Sequence, residues 1–255
     1  MEICPYILSR ANWKLIKGIN YELAILPWGA TEAHNYHLPY TTDVIQSEYI
    51  ANASAKQAWD NGAKVMVLPT IPFGVNTGQL DIKFVINIMP STQQAILWDV
   101  VHSLRNQKIP KLLILNGHGG NDFKPMIREI QTAIPAVIIA TLNWWQIVKD
   151  KEYFVEPGDH GGEMETSNML YIVPDLVLPL TEAGDGKERK LKLDAFKQGW
   201  AWTQREWRFA SEDTGIGNPK AGTAEKGKLY LEAIISKIAD FVTGFAKADA
   251  HNMYE

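Results

Sequence analysis

The sequence predicts an α/β protein, a three-layer sandwich with a mostly parallel central sheet flanked by helices. Three observations carry that expectation. The runs at 23–26, 64–68, 112–115 and 136–142 are apolar but for Lys64 and Thr141, as in strands buried on both faces. Most are followed by a segment with apolar residues at helical spacing, the alternation that builds parallel sheets. A chain of 255 residues, 46% hydrophobic and 21% charged, can bury one large core, so a single domain spanning 1–255 is expected.

In chain order, residues 5–18 read as a short helix with Ser9 or Asn12 as cap, and Gly18 leads into the first strand. Pro27 and Gly29 turn that strand into a loop. Asp43 then stands at the start of a helix over 44–59, as an N-cap or as a ligand, and Gly62 closes the helix. The loop from Pro69 leaves the carboxyl end of the second strand and should face the same cleft. Alternation at Phe84, Ile86 and Ile88 predicts a further strand, and Ser91 or Thr92 would cap a helix over 93–107.

The strand at 112–115, a turn at His118 and a helix over 123–133 form a βα unit. Pro135 ends it, and the next strand runs to Asn143-Trp-Trp145. A helix over 165–172 is stopped by Pro174. Residues 181–197 are charged and mixed in sign, an exposed excursion. An aromatic patch at 199–209 follows, able to pack on the excursion or across a subunit boundary. The last helix, 223–245, shows Leu229, Ala233, Ile234, Ile238, Phe241 and Val242 on one face.

Charge and cysteine content narrow the function. A net charge of −4 carries no basic footprint, which argues against nucleic acid or an anionic membrane as partner. Cys4 alone excludes an internal disulfide and a cysteine-based metal cluster. With no signal segment and no apolar run of membrane-spanning length, a cytoplasmic location is expected.

The chemistry concentrates in three segments. Ile25 to Asp43 carries Glu32, His34, His37 and Asp43; Leu115-Asn-Gly-His-Gly-Gly-Asn121 and Gly158-Asp-His-Gly-Gly-Glu-Met-Glu-Thr-Ser167 follow. Four of the six histidines (34, 37, 118 and 160) fall there, a clustering that chance rarely produces. Carboxylates mixed with imidazoles suit zinc, manganese or iron better than calcium or magnesium. His118 would sit at the carboxyl end of a strand, where open α/β sheets bind ligands.

Gly29-Ala-Thr-Glu-Ala-His-Asn-Tyr-His-Leu-Pro-Tyr-Thr-Thr-Asp43, Asn116-Gly-His-Gly-Gly-Asn121, His160-Gly-Gly-Glu-Met-Glu-Thr-Ser167 and, more weakly, Gly222-Thr-Ala-Glu-Lys-Gly227 resemble the creatininase (creatinine amidohydrolase) family in order and spacing. The resemblance implies a metal-dependent amidohydrolase acting on a cyclic or non-peptide C–N bond of a small molecule. It implies two divalent metal ions per subunit, zinc first, with manganese or iron as alternatives. Asp43 would bridge them, Glu32 and His118 would complete one site, and His34 would belong to the other. The namesake enzyme uses a Glu two residues after the His118 equivalent; Gly120 stands there, so Glu163 is expected to replace it. His160, positioned or assisted by Asp159, is the expected proton carrier, since imidazole titrates near neutral pH. Trp145 falls where some members place an aromatic that shields the substrate. His37 and Glu165 are expected in supporting or capping roles.

Two departures bear on substrate. The family usually carries a His followed by Phe-Pro-Gly-Thr where this chain has the run from Gln79 to Thr92, and Glu156 replaces a shielding Trp. Both argue against creatinine itself. Formamide deformylation, peptide-end hydrolysis and a non-catalytic metal-binding scaffold or sensor stay open. The resemblance also suggests a homo-oligomer, often a hexamer.

Overall fold

A computed structural model describes residues 3–249 and 252–255. Four strands, β1 (Leu23–Trp28), β2 (Val65–Val67), β3 (Lys111–Asn116) and β4 (Ile138–Asn143), form a wholly parallel sheet in the order β2-β1-β3-β4. Helices are α1 (Trp13–Ile16), α2 (Thr42–Asp60), α3 (Pro90–Asn106), α4 (Lys124–Ala133), α5 (Glu163–Ile172), α6 (Asp194–Lys197), α7 (Trp207–Ala210) and α8 (Ala224–Lys247).

Alternate side chains of the strands divide the core into the two interfaces of a three-layer sandwich. Leu23, Ile25, Leu113 and Leu115 pack with Ile50, Ala51, Ala55 and Ala58 of α2 and with Tyr230, Ile234, Ile238 and Val242 of α8. Ala24, Leu26, Trp28, Leu112 and Ile114 pack instead with Leu97, Val101 and Leu104 of α3 and Met126 and Ile130 of α4. Burial on both faces explains the unbroken apolar strands, each fully buried Leu or Ile contributing about 1.5–3 kcal/mol.

Several expectations need correcting. The first helix is only one turn, with Asn12 Oδ1 accepting from Leu15 N at 3.1 Å; Ser9 lies in a preceding 3-10 turn. β1 continues through Pro27, whose carbonyl accepts from Ile71 N, on the side where β2 has already ended, so the missing N–H breaks no strand ladder. No strand forms at 84–88. Phe84 takes φ 62, which interrupts an extended run, and Ile86 and Asn87 make only isolated bridges. α3 starts at Pro90 as its first residue rather than on a Ser91 or Thr92 cap. On α8, Leu229 and Phe241 are exposed, while Tyr230, Leu231 and Ile235 share the buried face. No helix among the described residues is long and apolar enough to cross a membrane.

Candidate metal centre

β1 connects through α2 to β2 on one side, whereas β3 connects through α4 to β4 on the other. The crevice beyond the carboxyl ends of β1 and β3 is therefore the switch point of the sheet, where ligands of open α/β folds bind. Into it come Glu32 and His34 after β1, Asp43 from the first turn of α2, His118 after β3, and His160 and Glu165 around the start of α5. All six are buried. The start of α2 approaches β1 so closely that a Cβ on Gly29 would lie 2.7 Å from Val44 N. Thr41 occupies the cap position of α2 and Asp43 points inward to the histidines.

Each histidine is held by its far nitrogen. His34 Nδ1–H donates to the Glu32 carbonyl (3.2 Å), His118 Nε2–H to the Val75 carbonyl (3.0 Å), and His160 Nε2–H to the Ala33 carbonyl (2.7 Å). A carbonyl only accepts, so these bonds fix each tautomer and turn the other nitrogen toward the cluster. His34 Nε2 lies 3.0 Å from Asp43 Oδ1 and 3.8 Å from Glu165 Oε1; His118 Nδ1 lies 2.7 Å from Glu32 Oε1 and 3.2 Å from Asp43 Oδ2. His160 Nδ1 is 3.9 Å from Glu32 Oε1, and its ring stacks on His34 at 4.0 Å. Asn116 Oδ1 accepts from His118 N and from Asn121 Nδ2, which sets the turn.

Burial by itself would raise the Asp43 carboxyl, but the two imidazoles, His34 foremost, hold it far below the ordinary carboxylate range. Glu32 is likewise lowered, because His118 and His160 outweigh its burial. Burial would depress His34, yet the Asp43 and Glu165 carboxylates lift it to about 10; His118 is raised as well, by Glu32 and Asp43. For Glu165 burial wins, and its carboxyl is raised. Protons on the imidazoles thus occupy the role of cations among three buried carboxylates. Asp43 Oδ2 meets no hydrogen-bond geometry despite its nearness to His118. An acceptor whose one near partner is a metal-type imidazole nitrogen, among donor atoms that converge in groups of three within 4.8 Å, fits a divalent cation of the zinc, manganese or iron type.

The donors sort into overlapping groups: Glu32, Asp43 and His118; His34, Asp43 and Glu165; and Glu32, His34 and His160. The structure brings Glu32, His34, Asp43, His118 and His160 together and leaves Glu163 out. Fully buried at the first position of α5, Glu163 accepts from Lys226 Nζ at 2.5 Å and from Glu156 N at 2.8 Å. Glu165 enters instead, with Oε2 accepting from Gly161 N at 2.6 Å. At Gly120 a Cβ would lie 2.2 Å from the Val75 carbonyl and 2.5 Å from His118 Nε2, the pair whose bond orients the ring, so a side chain there would require that loop to shift.

Asp159 and Trp145 also lie elsewhere than expected. The Asp159 carboxylate is 61% exposed and pairs with Arg205 Nη1 at 2.7 Å rather than with His160. Trp145 is half-buried against the core beneath α8, and its carbonyl accepts from Tyr230. The aromatic beside the cluster is Trp207, 4.6 Å from the His160 ring, with the Arg205 guanidinium 5.1 Å from the Trp207 ring. His37 bonds Thr166 Oγ1 through Nε2, and burial together with His34 lowers it to about 4, a neutral supporting role. Gln79, from the loop after β2, donates Nε2–H to Glu32 Oε2. Neither Gln79, Arg205 nor Trp207 stands beside a histidine in the sequence; the only early sign was that the loop after β2 faces the cleft.

A parallel sheet with a buried carboxylate–imidazole cluster at its switch point defines an α/β protein equipped to hold metal. The chain belongs to the creatininase family, whose model, described as creatinine amidohydrolase, matches residues 9–242. Among curated relatives, a creatinine amidohydrolase of Pseudomonas putida is 26% identical over 240 residues, 86% of this chain and 87% of that protein. A mycofactocin precursor peptide peptidase of Mycolicibacterium smegmatis is 24% identical over 222 residues, covering 86% and 83%. A solved structure from Bacteroides fragilis, provisionally described as a creatinine amidohydrolase, matches with TM-score 0.93 and 44% identity over all of both chains. A creatininase structure in its manganese form shares the fold at TM-score 0.79 and 22% identity, over 97% of this chain and all of that one.

Proposed function

We propose that the chain is a metal-dependent amidohydrolase with a dinuclear centre, acting on a cyclic or otherwise non-peptide C–N bond of a small molecule. The arrangement of Asp43 supports this most directly: its oxygens part, Oδ1 toward His34 and Oδ2 toward His118. Asp43 would bridge, with Glu32 and His118 completing one site and His34 and Glu165 the other. Three protein donors per ion leave positions open for water and substrate, the pattern of catalytic rather than structural sites. Two divalent cations so held would lower the pKa of a water from 15.7 toward ~7 and polarise a carbonyl oxygen.

His160 is the proton carrier in this reading. Nε2 is committed to the Ala33 carbonyl, so Nδ1, on the cluster side, is the nitrogen free to take a proton from water and give it to the departing amine. Trp207 covers the His160 ring and limits water there, whereas Trp145 was expected to shield the substrate. Asp159 acts through Arg205 at the rim.

The test is a turnover screen against cyclic amides, formamides and short peptides, with metal content measured alongside. His160→Ala should lower turnover by on the order of 10²–10⁴ while both metals stay bound. Retained turnover would overturn the role of His160; no turnover by the metal-loaded native chain on any class would favour a binding scaffold. Peptide-end hydrolysis is the second reading, favoured by similarity to the mycofactocin precursor peptidase close to that of the creatinine amidohydrolase.

A further inference from the structure

The three carboxylates of the cluster differ in how many oxygens they have free. Asp43 presents both. Glu165 has Oε2 taken by Gly161 N and presents Oε1 to His34, with Gln46 Nε2 donating to that oxygen only at 3.5 Å. Glu32 has Oε2 taken by Gln79 Nε2 and presents Oε1 to His118, His34 and His160. Gln79 is 2% exposed, its Oε1 has no hydrogen-bond partner, and its amide is oriented with the NH₂ on the carboxylate, the only arrangement that avoids setting an acceptor against an anion. The side chain comes from the loop after β2, which supplies none of the cluster's six residues.

We propose that Gln79 is a positioning residue that holds Glu32 to one free oxygen, so that Glu32 ligates through Oε1 alone and only Asp43 offers two oxygens. The inference rests on the dinuclear reading above. A carboxylate freed of this bond loses its fixed orientation, which weakens its hold on the ion, and its second oxygen could swing into a position that substrate or water needs. Hydrogen-bond partners of ligands govern metal affinity in this manner, their loss costing ten- to a hundredfold. Gln79 is thus assigned the tuning of one of the two ions, the one shared with His118.

Zinc titration of the full chain against a chelating indicator, together with the visible spectrum of the cobalt(II)-loaded protein, tests this with Gln79→Met, which keeps side-chain length and removes the donor. The native chain should bind two zinc ions. In the variant one of the two should weaken ten- to a hundredfold, and the cobalt bands should lose intensity as coordination number rises. Two unchanged affinities, or both falling together with thermal stability, would overturn the proposal. Should Gln79→Met not fold, Gln79→Asn withdraws the donor by one methylene and should give the same selective loss. Absence of metal from the native chain would instead remove the dinuclear reading, and this inference with it.

Discussion

The loops after β1 and β3 and the entrance to α5 both feed the cluster, but they specify it differently. After β1 and β3, strands buried on both faces end at the crevice, and the polar residues that follow have one direction to go. At α5 two glutamates stand two residues apart, and the phase of the helix decides which one enters. Glu163 turns to Lys226 and Glu165 to His34. Candidate ligands in the loops after β1 and β3 are placed by topology, whereas at α5 the candidate depends on where the first turn begins.

The bridging position gives the largest expected effect. If Asp43 bridges two ions as proposed, Asp43→Asn should weaken both at once, and losing several kcal/mol of charge stabilisation corresponds to a fall in turnover of about a thousandfold, with metal content well below that of any variant losing a terminal ligand. The two glutamates sharpen the comparison. Glu165→Ala should take plasma-mass-spectrometric metal content from two per chain towards one. Glu163→Ala should leave it at two and lower stability by about 1–3 kcal/mol, a shift of several degrees in Tm. Reversal of that pattern would return Glu163 to the site.

A pH series comes next. In the metal-free protein His34 has its folded pKa raised to about 10, so its contribution is fully present below the unfolded value of about 6.5 and is lost as pH rises through about 10. Calorimetry of metal-free protein should show Tm falling across that window, and His34→Gln should flatten the slope. The smallest effect is expected of Asp159→Asn. An exposed ion pair is worth about 0–1 kcal/mol, so turnover should change by less than about fivefold. A hundredfold loss would restore Asp159 to direct action on His160.

The buried strands were legible because continuous apolar runs have few other uses, and Glu32, His34, Asp43 and His118 because ligand types crowd beside those runs. The glutamate choice was not. The sequence suggests a helix beginning at 165, whereas α5 begins at Glu163, and at 3.6 residues per turn two residues rotate a side chain by about 200°. Phe84 misled in another way, since its apolar alternation gives no sign of a positive φ. Trp207 and Gln79 reach the cluster across 47 residues and more of chain, by packing that no local periodicity encodes.

The segment after α5 has one more consequence. Its inner end is anchored by Asn35, whose amide bonds the backbone of Gly184 in both directions, and by Asp213, which accepts from Gly186 N. Beyond those anchors residues 187–206 contribute none of the six cluster side chains, yet Arg205 reaches Asp159 beside His160. This piece is tied back by Arg189 N on the Ala210 carbonyl, by Thr77 Oγ1 on Gln204 and by Arg205 on Asp159. None of those ties involves a cluster side chain, so exchanging residues 187–206 between relatives should leave metal content unchanged, which makes Gly186 and Trp207 convenient boundaries for building chimeras and libraries.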